Sequence, residues 1–340
     1  MNTQLLLPTK KNISLVGQAL LTGNLVGIPT ETVYGLAANA LDGNAVNRIF
    51  AAKGRPADNP LIVHISDIDQ IEKFSLVSEI PESAKKLMAA FWPGPLTIIM
   101  KKGCVPNEVT AGLDTVAVRF PSHVVTQRII TAAGCPLAAP SANTSGKPSP
   151  TTAAHVFHDM NGKIPYIIDG GACEVGVEST VVTTAGDVPV LLRPGGVTHE
   201  QLESVVGHVE IAHAVLERMN DGETAASPGM KYKHYAPSAD VILLSGSSEQ
   251  YISFVNEHIS DNTAALCYDE DVDLIGGKTY SLGHKDNYEE QSANLFSVLR
   301  LIDEEGYNTI YARCPERTGT AMALYNRLIR AAGFEVMELA

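Results

Sequence analysis

Cysteine is scarce in this chain, and no pair of cysteines has a functional spacing. The five thiols, Cys104, Cys135, Cys173, Cys267 and Cys314, are odd in number and far apart. No C-x-x-C occurs, so the spacing of a zinc or dithiol site is missing, and reduced, partly buried thiols are expected. Long apolar runs are missing too. The opening MNTQLLLPTKKN holds three leucines before its lysines, short of a signal-peptide core. No stretch approaches the ~18 apolar residues of a membrane span. A soluble, cytoplasmic protein with no membrane attachment is expected. Basic side chains are outnumbered, 25 against 38 acidic ones, for a formal net charge of -13. Such a chain repels nucleic acid on average, which argues against tight non-specific binding by the molecule as a whole.

Several nucleotide and hydrolase signatures are also missing. Gly277-Lys278-Thr279 resembles the end of a phosphate-binding loop, but the position five before the second glycine is Val272, so it reads as a turn. Gly170-Gly171 and Gly195-Gly196 lack dinucleotide-binding spacing, and no H-E-x-x-H or G-x-S-x-G is present.

What is present is ordinary globular material, 45% apolar and 19% charged. A length of 340 residues exceeds what one core usually takes, so two domains are expected. Up to about Gly207, helical periodicity over 13–21, 44–52, 81–91, 124–133 and 152–160 alternates with short apolar runs. Those runs fall at 25–29, 61–65, 96–100, 116–120, 137–139, 166–168, 180–183 and 190–192. The pattern predicts an α/β domain over 1–215 with a mixed twisted sheet and helices. A polar stretch broken by Pro228, Gly229 and Pro237 reads as a linker over 216–239. Its tyrosines fit either a ligand contact or simple docking on a domain surface. A second alternation over 240–340 predicts a smaller Rossmann-like α/β domain.

Polar clusters at strand ends carry the chemical signal. Pro29-Thr30-Glu31-Thr32-Val33-Tyr34-Gly35 follows an apolar strand and fits either a ligand turn or threonine caps. Lys53-Gly54-Arg55-Pro56, at a helix end, pairs a point charge with a planar fork and suits a polyphosphate. His64 stands in an apolar strand, as a satisfied core histidine or a ligand contact. Phe91-Trp92-Pro93-Gly94-Pro95 reads as a rigid turn. Arg119 shares a face with Thr115 and Ala117 and fits an anion or a surface ion pair. Ala139-Pro140-Ser141-Ala142-Asn143-Thr144-Ser145-Gly146-Lys147-Pro148-Ser149 offers more hydroxyl and amide groups than a helix cap needs. Gly176-Val177-Glu178-Ser179-Thr180 and the strand-end Arg193 complete the set.

Taken in order, Lys53-x-Arg55 and Ser141-x-Asn143, with PTETVYGL, RPADNPLIVHI, FWPGPLT, VAVRFP, PSAN and GVESTVV, resemble the YrdC-like threonylcarbamoyl-AMP synthases. The resemblance covers roughly the first 200 residues. SPGMKYKHYAP and the segment after it are similar to the long, two-domain form of that family.

The resemblance implies a YrdC-like domain that binds L-threonine, bicarbonate and ATP, with Mg²⁺ accompanying the nucleotide. It places Thr32, His64, Arg119, Ala139 and Ser179 around L-threonine. It places Arg55, Asn59, Thr115, Ser141, Asn143, Ser149 and Arg193 around ATP, with His234 and Tyr235 of the linker covering it. Lys53 and Arg55 take the catalytic charge at the phosphates, and the residues that meet the metal are left open. The product, threonylcarbamoyl-AMP, would pass to a downstream threonylcarbamoyl-transferase complex acting on tRNA, with tRNA itself bound weakly at most. A related carbamoyl-transfer domain of hydrogenase maturation would carry zinc-finger and acylphosphatase segments, which this chain lacks. The reading from a different class is a double-stranded RNA-binding protein, with salt-dependent affinity and no turnover.

Overall fold

The computed structural model describes residues 2–218 and 235–340. They form two compact units. The first holds the described residues through 218 apart from 146–148 and 175–177, and those two short segments belong with 235–340 in the second.

The first unit begins with β1 (Gln4–Leu6), α1 (Lys10–Leu21), β2 (Val26–Ile28), β3 (Gly35–Asn39), α2 (Gly43–Lys53) and β4 (Ile62–His64). It continues through α3 (Asp69–Lys73), α4 (Glu82–Phe91), β5 (Leu96–Lys101), α5 (Asn107–Thr110), β6 (Thr115–Arg119) and α6 (Val124–Ala133). Then come β7 (Leu137–Ala138), α7 (Ala153–Met160), β8 (Tyr166–Ile168), β9 (Thr180–Thr183), β10 (Val190–Arg193), α8 (His199–Val206) and β11 (Glu210–Ile211). The strands make one mixed sheet ordered β1-β8-β2-β3-β7-β4-β6-β5-β9-β10-β11.

Short local signals shape these elements. Thr9, Asp42 and Thr152 cap α1, α2 and α7 through their side-chain oxygens. Ile13, Val16 and Leu20 of α1 meet Ile129, Ile130 and Ala133 of α6 above Val26, Ile28 and Leu137 of the sheet. Gly17 permits that approach, because a Cβ there would lie 2.7 Å from the backbone of Ala132.

Register aligns the functional strand ends. His64 pairs with Arg119, Arg119 with Thr97, Thr97 with Val181 and Val181 with Arg193, across five neighbouring strands. Directly opposed residues share a face, so one row carries an imidazole, a guanidinium and a hydroxyl, and a second guanidinium, Arg193, follows a register shift in β10. An apolar cluster of Ile62, Ile99, Ala117, Val181, Leu192 and Ala214 lies along the same strands. The row is therefore a polar end on a dry base.

The second unit runs β12 (Asp240–Ser245), α9 (Ser248–His258), β13 (Thr263–Cys267), β14 (Thr279–Ser281), α10 (Tyr288–Glu305), β15 (Thr309–Arg313), α11 (Ala321–Ala331) and β16 (Val336–Glu338). Its sheet is parallel throughout, ordered β14-β13-β15-β12-β16, as the Rossmann-like reading requires. Gly276-Gly277 is a bend, and Thr279 opens β14. Residues 146–148 join this unit through Arg300, whose Nη2 donates to Pro148 O at 2.5 Å, and through a 2.9 Å Lys147–Asp303 ion pair. Among the described residues no helix is long and apolar enough to cross a membrane.

Candidate active site

The turn joining β2 to β3 is built by its threonines. Thr30 Oγ1 accepts from the amides of Thr32 and Val33, both at 3.2 Å, and donates to Val33 O at 2.6 Å. Its single proton is thereby used, so the 2.8 Å contact with Thr32 Oγ1 has Thr32 as donor. Thr32 Oγ1 in turn accepts from Arg119 Nη1 at 2.8 Å. The chain of protons runs one way, from Arg119 through Thr32 and Thr30 to Val33. Thr32 is left with acceptor capacity only and can accept a hydrogen bond from a ligand's hydroxyl or ammonium group.

Arg119 is buried, at 4% exposure, so the surface ion pair considered from sequence gives way to an interior one. Its Nη2 meets Glu31 Oε1 at 2.7 Å and its Nε reaches Gly94 O at 3.4 Å. Hydrogen bonds use Nε–H and one Nη1–H, and the ion pair at Nη2 lacks hydrogen-bond geometry, so N–H groups at Nη1 and Nη2 stay open to a ligand. Burial raises the Glu31 carboxyl pKa, but the Arg119 charge and hydrogen bond, with the backbone N–H of Ser122, outweigh burial and hold it below its ordinary value. His64 is fully buried and bonds through Nδ1 to Ile62 O at 3.1 Å. Burial and then the neighbouring Arg119 charge pull its pKa down to about 3, so the ring is neutral.

A second group lies further along the row. Thr97 Oγ1 is 2.8 Å from Ser179 Oγ. Arg193 donates from Nε to Ser179 O and from Nη2 to Ser179 Oγ. Gly195 allows this closeness, because a Cβ there would collide with the Thr180 amide.

A third group surrounds the end of α2. Gly54 takes the left-handed conformation at φ 63, and Arg55 N bonds back to Phe50 O at 3.0 Å. That reversal sends Lys53 and Arg55 different ways. Lys53 is 3% exposed and its ammonium donates to Ser141 O, to Asn143 O at 2.6 Å and to Asn143 Oδ1 at 3.2 Å. Ser141 Oγ donates to Asn143 Oδ1 at 2.5 Å. The KxR and SxN motifs, 90 residues apart, are thus one structure, with Lys53 at its centre. Arg55 is half-buried, its guanidinium 6.0 Å from the Phe50 ring centroid.

The remaining residues sit apart. Ser149 is fully buried and donates to Glu178 Oε1. Ala139 is bonded through its amide to Ile62 O at 3.0 Å. Asn59 is buried just before β4. Thr115 is at the opposite end of β6 from Arg119, four residues or roughly 13 Å along the strand. Tyr235 is 2% exposed, with its ring 5.3 Å from Phe296 and beneath the Arg327 guanidinium at 5.5 Å, all in the second unit. His234 lies outside the described residues.

Glu31, Thr30, Thr97 and Glu178 stand inside the motifs noted from sequence, yet no role was assigned to them there. The contacts of Glu31 with Arg119 and of Thr97 with Ser179 join residues more than 80 apart, and that of Glu178 with Ser149 joins residues 29 apart, which no local pattern records. Buried thiols are not poised as nucleophiles: burial raises Cys173 to about 12 and Cys135 to about 11.

Fold and site together define a YrdC-like α/β unit, with charged side chains gathered at its strand ends, followed by a parallel Rossmann-like unit. Residues 18–195 match the Sua5, YciO and YrdC family described as "telomere recombination", and residues 197–333 match the threonylcarbamoyl-AMP synthase C-terminal domain. Threonylcarbamoyl-AMP synthases from Pyrococcus abyssi and Bacillus subtilis are 48% and 46% identical, over 93% and 94% of this chain and 93% and 92% of theirs. The solved structure of P. abyssi Sua5 with L-threonine superposes with a TM-score of 0.91 at 44% identity, covering 100% of this chain and 99% of that one. The chain belongs to the threonylcarbamoyl-AMP synthase family of enzymes, in its two-domain form.

Proposed function

We propose that this enzyme makes L-threonylcarbamoyl-AMP from L-threonine, bicarbonate and ATP and releases pyrophosphate. The group would go, through a downstream transferase complex, to the adenosine beside the anticodon in tRNAs that read codons beginning with A. Similarity along the whole chain to relatives of that name carries the reading, and one such relative holds L-threonine in its solved structure.

The site chemistry supports it. The threonine carboxylate is a bidentate partner for the open N–H groups at Nη1 and Nη2 of Arg119. Thr32 accepts from the ammonium or hydroxyl group, beside neutral His64 and Ser179. The threonine amine takes up bicarbonate carbon to give a carbamate, with loss of water. A carbamate oxygen attacks the α-phosphorus, the bond to pyrophosphate breaks, and the adenylate forms. Positioning and charge stabilisation are the protein's contributions. Arg55 and Arg193 supply guanidinium forks for phosphate. Lys53 adds charge while holding the Ser141–Asn143 turn, and Asn59, Thr115, Ser141, Asn143 and Ser149 form the nucleotide's polar surroundings.

Mg²⁺ belongs here as the counter-ion of ATP. Among the described residues no group of three or more His, Cys, Asp or Glu side chains comes together around a cation. Phosphate oxygens and water are the natural ligands of this ion. The linker over 216–239 with His234 and Tyr235 is proposed to cover the nucleotide and keep water from the labile adenylate. Synthesis in the cytoplasm, with weak tRNA contact at most, completes the proposal.

Pyrophosphate release by the purified protein, with ATP, Mg²⁺ and bicarbonate, with and without L-threonine, tests it. Release that needs both threonine and bicarbonate is the expected result. Release independent of bicarbonate means plain aminoacyl adenylation. No release, with salt-sensitive binding of double-stranded RNA, overturns the enzyme reading.

A further inference from the structure

Glu31 has no substrate role in the function proposed above, yet it is the closest charged partner of the residue assigned to the threonine carboxylate. The pair is interior on both sides, with Glu31 5% and Arg119 4% exposed and 2.7 Å between Oε1 and Nη2. A buried ion pair is a poor source of stability, because taking two charges out of water costs as much as their attraction returns. Folding alone therefore does not explain it. Orientation does.

One turn grips the guanidinium from two sides. Glu31 takes Nη2, and its chain neighbour Thr32 takes Nη1 at 2.8 Å. Gly94 O takes Nε from a third direction. The turn is stiffened from within by Thr30, which accepts two backbone amides and donates to Val33 O. Hydrogen bonds at Nε and Nη1 and the ion pair at Nη2 hold the planar group from three sides, and its open N–H bonds at Nη1 and Nη2 point in set directions.

We propose that Glu31 is a positioning residue for L-threonine binding, fixing the Arg119 guanidinium in the plane that meets the substrate carboxylate. This rests on Arg119 being the carboxylate partner. Without Glu31, Arg119 keeps its charge but swings about Nε and loses its bidentate aim. The loss falls on threonine and spares ATP, whose proposed partners are in the other groups.

Steady-state kinetics of Glu31→Gln, Glu31→Ala, Arg119→Ala and the double alanine variant test it, with a thermal melt of each. The expected result for Glu31→Ala is a rise in the KM for L-threonine of about 10- to 100-fold, the effect of a lost charge-assisted contact. Its kcat at saturating threonine and its KM for ATP stay within about threefold of the parent. Glu31→Gln keeps the volume and an acceptor oxygen, gives an intermediate rise, and serves if the alanine variant fails to fold. Adding Glu31→Ala to Arg119→Ala raises the threonine KM no further, because the two act as one unit. An unchanged threonine KM in the Glu31 variants beside an impaired Arg119→Ala overturns the positioning role alone. Equal loss for both substrates, or additive losses in the double variant, also overturns it. An unimpaired Arg119→Ala removes the carboxylate assignment and this proposal with it.

Discussion

Arg193 holds Ser179 at two points, from Nε to its carbonyl at 3.0 Å and from Nη2 to its hydroxyl at 3.2 Å. Thr97 reaches the same hydroxyl from the strand on the other side, at 2.8 Å. Ser179 is therefore fixed between β5 and β10, just before β9, with the backbone of the Arg193-Pro194-Gly195 turn packed against it.

That grip depends on a fork, so Arg193→Lys is not a conservative change. The expected effect is a rise of about 10- to 100-fold in the KM for ATP, with the threonine KM also raised through Ser179. Initial rates of pyrophosphate release with each substrate varied in turn measure both. Parent-like values for Arg193→Lys would show that charge alone suffices.

Lys53→Ala and Arg55→Ala are both expected to abolish pyrophosphate release, but they part on stability. Arg55 is half-buried, and its loss leaves the melting temperature near that of the parent. Lys53→Ala strips the donor from Ser141 O, Asn143 O and Asn143 Oδ1, so the folded state loses about 1–3 kcal/mol as well. Normal pyrophosphate release by either variant sinks that residue's assignment.

His64 predicts a pH effect on stability. Its folded pKa, about 3, is below the unfolded value near 6.5. Between these values the unfolded chain binds more protons, so stability rises with pH through that window and falls on acidification, by up to about 1.4 kcal/mol per pH unit. Denaturant melts of the parent and of His64→Gln between pH 4.5 and 7 check this. The variant should show a shallower decline, and parallel curves count against a buried neutral imidazole.

In the second unit, Arg313 pairs with Asp271, Nε to Oδ2 at 2.8 Å, and its guanidinium carbon is 4.8 and 4.9 Å from the rings of Tyr251 and Tyr268. Asp271→Ala leaves that charge buried between two aromatic faces without its counter-ion. A loss of about 3–5 kcal/mol is expected, read as a lower unfolding midpoint, while Asp271→Ala with Arg313→Met recovers part of it. No recovery would mean that the pair contributes more than charge balance.

How far the sequence could be read is clear from particular elements. The periodicity over 124–133 matches α6, because an apolar stripe at helical spacing has one way to be buried. Strand β3, Gly35-Leu36-Ala37-Ala38-Asn39, has no signature in the sequence pattern. Its small residues carry no β-branched signal, and it is a strand because β2 and β7 hydrogen-bond to it on either side. α8 is also absent from the apolar periodicity. Only Leu202 of it is buried, so it lacks an apolar stripe, and the Thr198–Gln201 capping box marks its start instead.

The site divides the same way. Residue type and order alone, in PTETVYGL, KGRP, VAVRFP and PSAN, pointed to the family, because reaction chemistry demands those groups whatever holds them. Which partner each group takes was decided by tertiary structure. Glu31 and Arg119 are 88 positions apart, and Lys53 and Asn143 are 90 apart. Sheet register and the reversal at Gly54 bring them into contact, and a charged side chain loses its water only when such a contact forms. Burial then settles what sequence left open: His64 is neutral, Arg119 is an interior charge with an interior partner, and Lys53 reaches for carbonyls of its own chain.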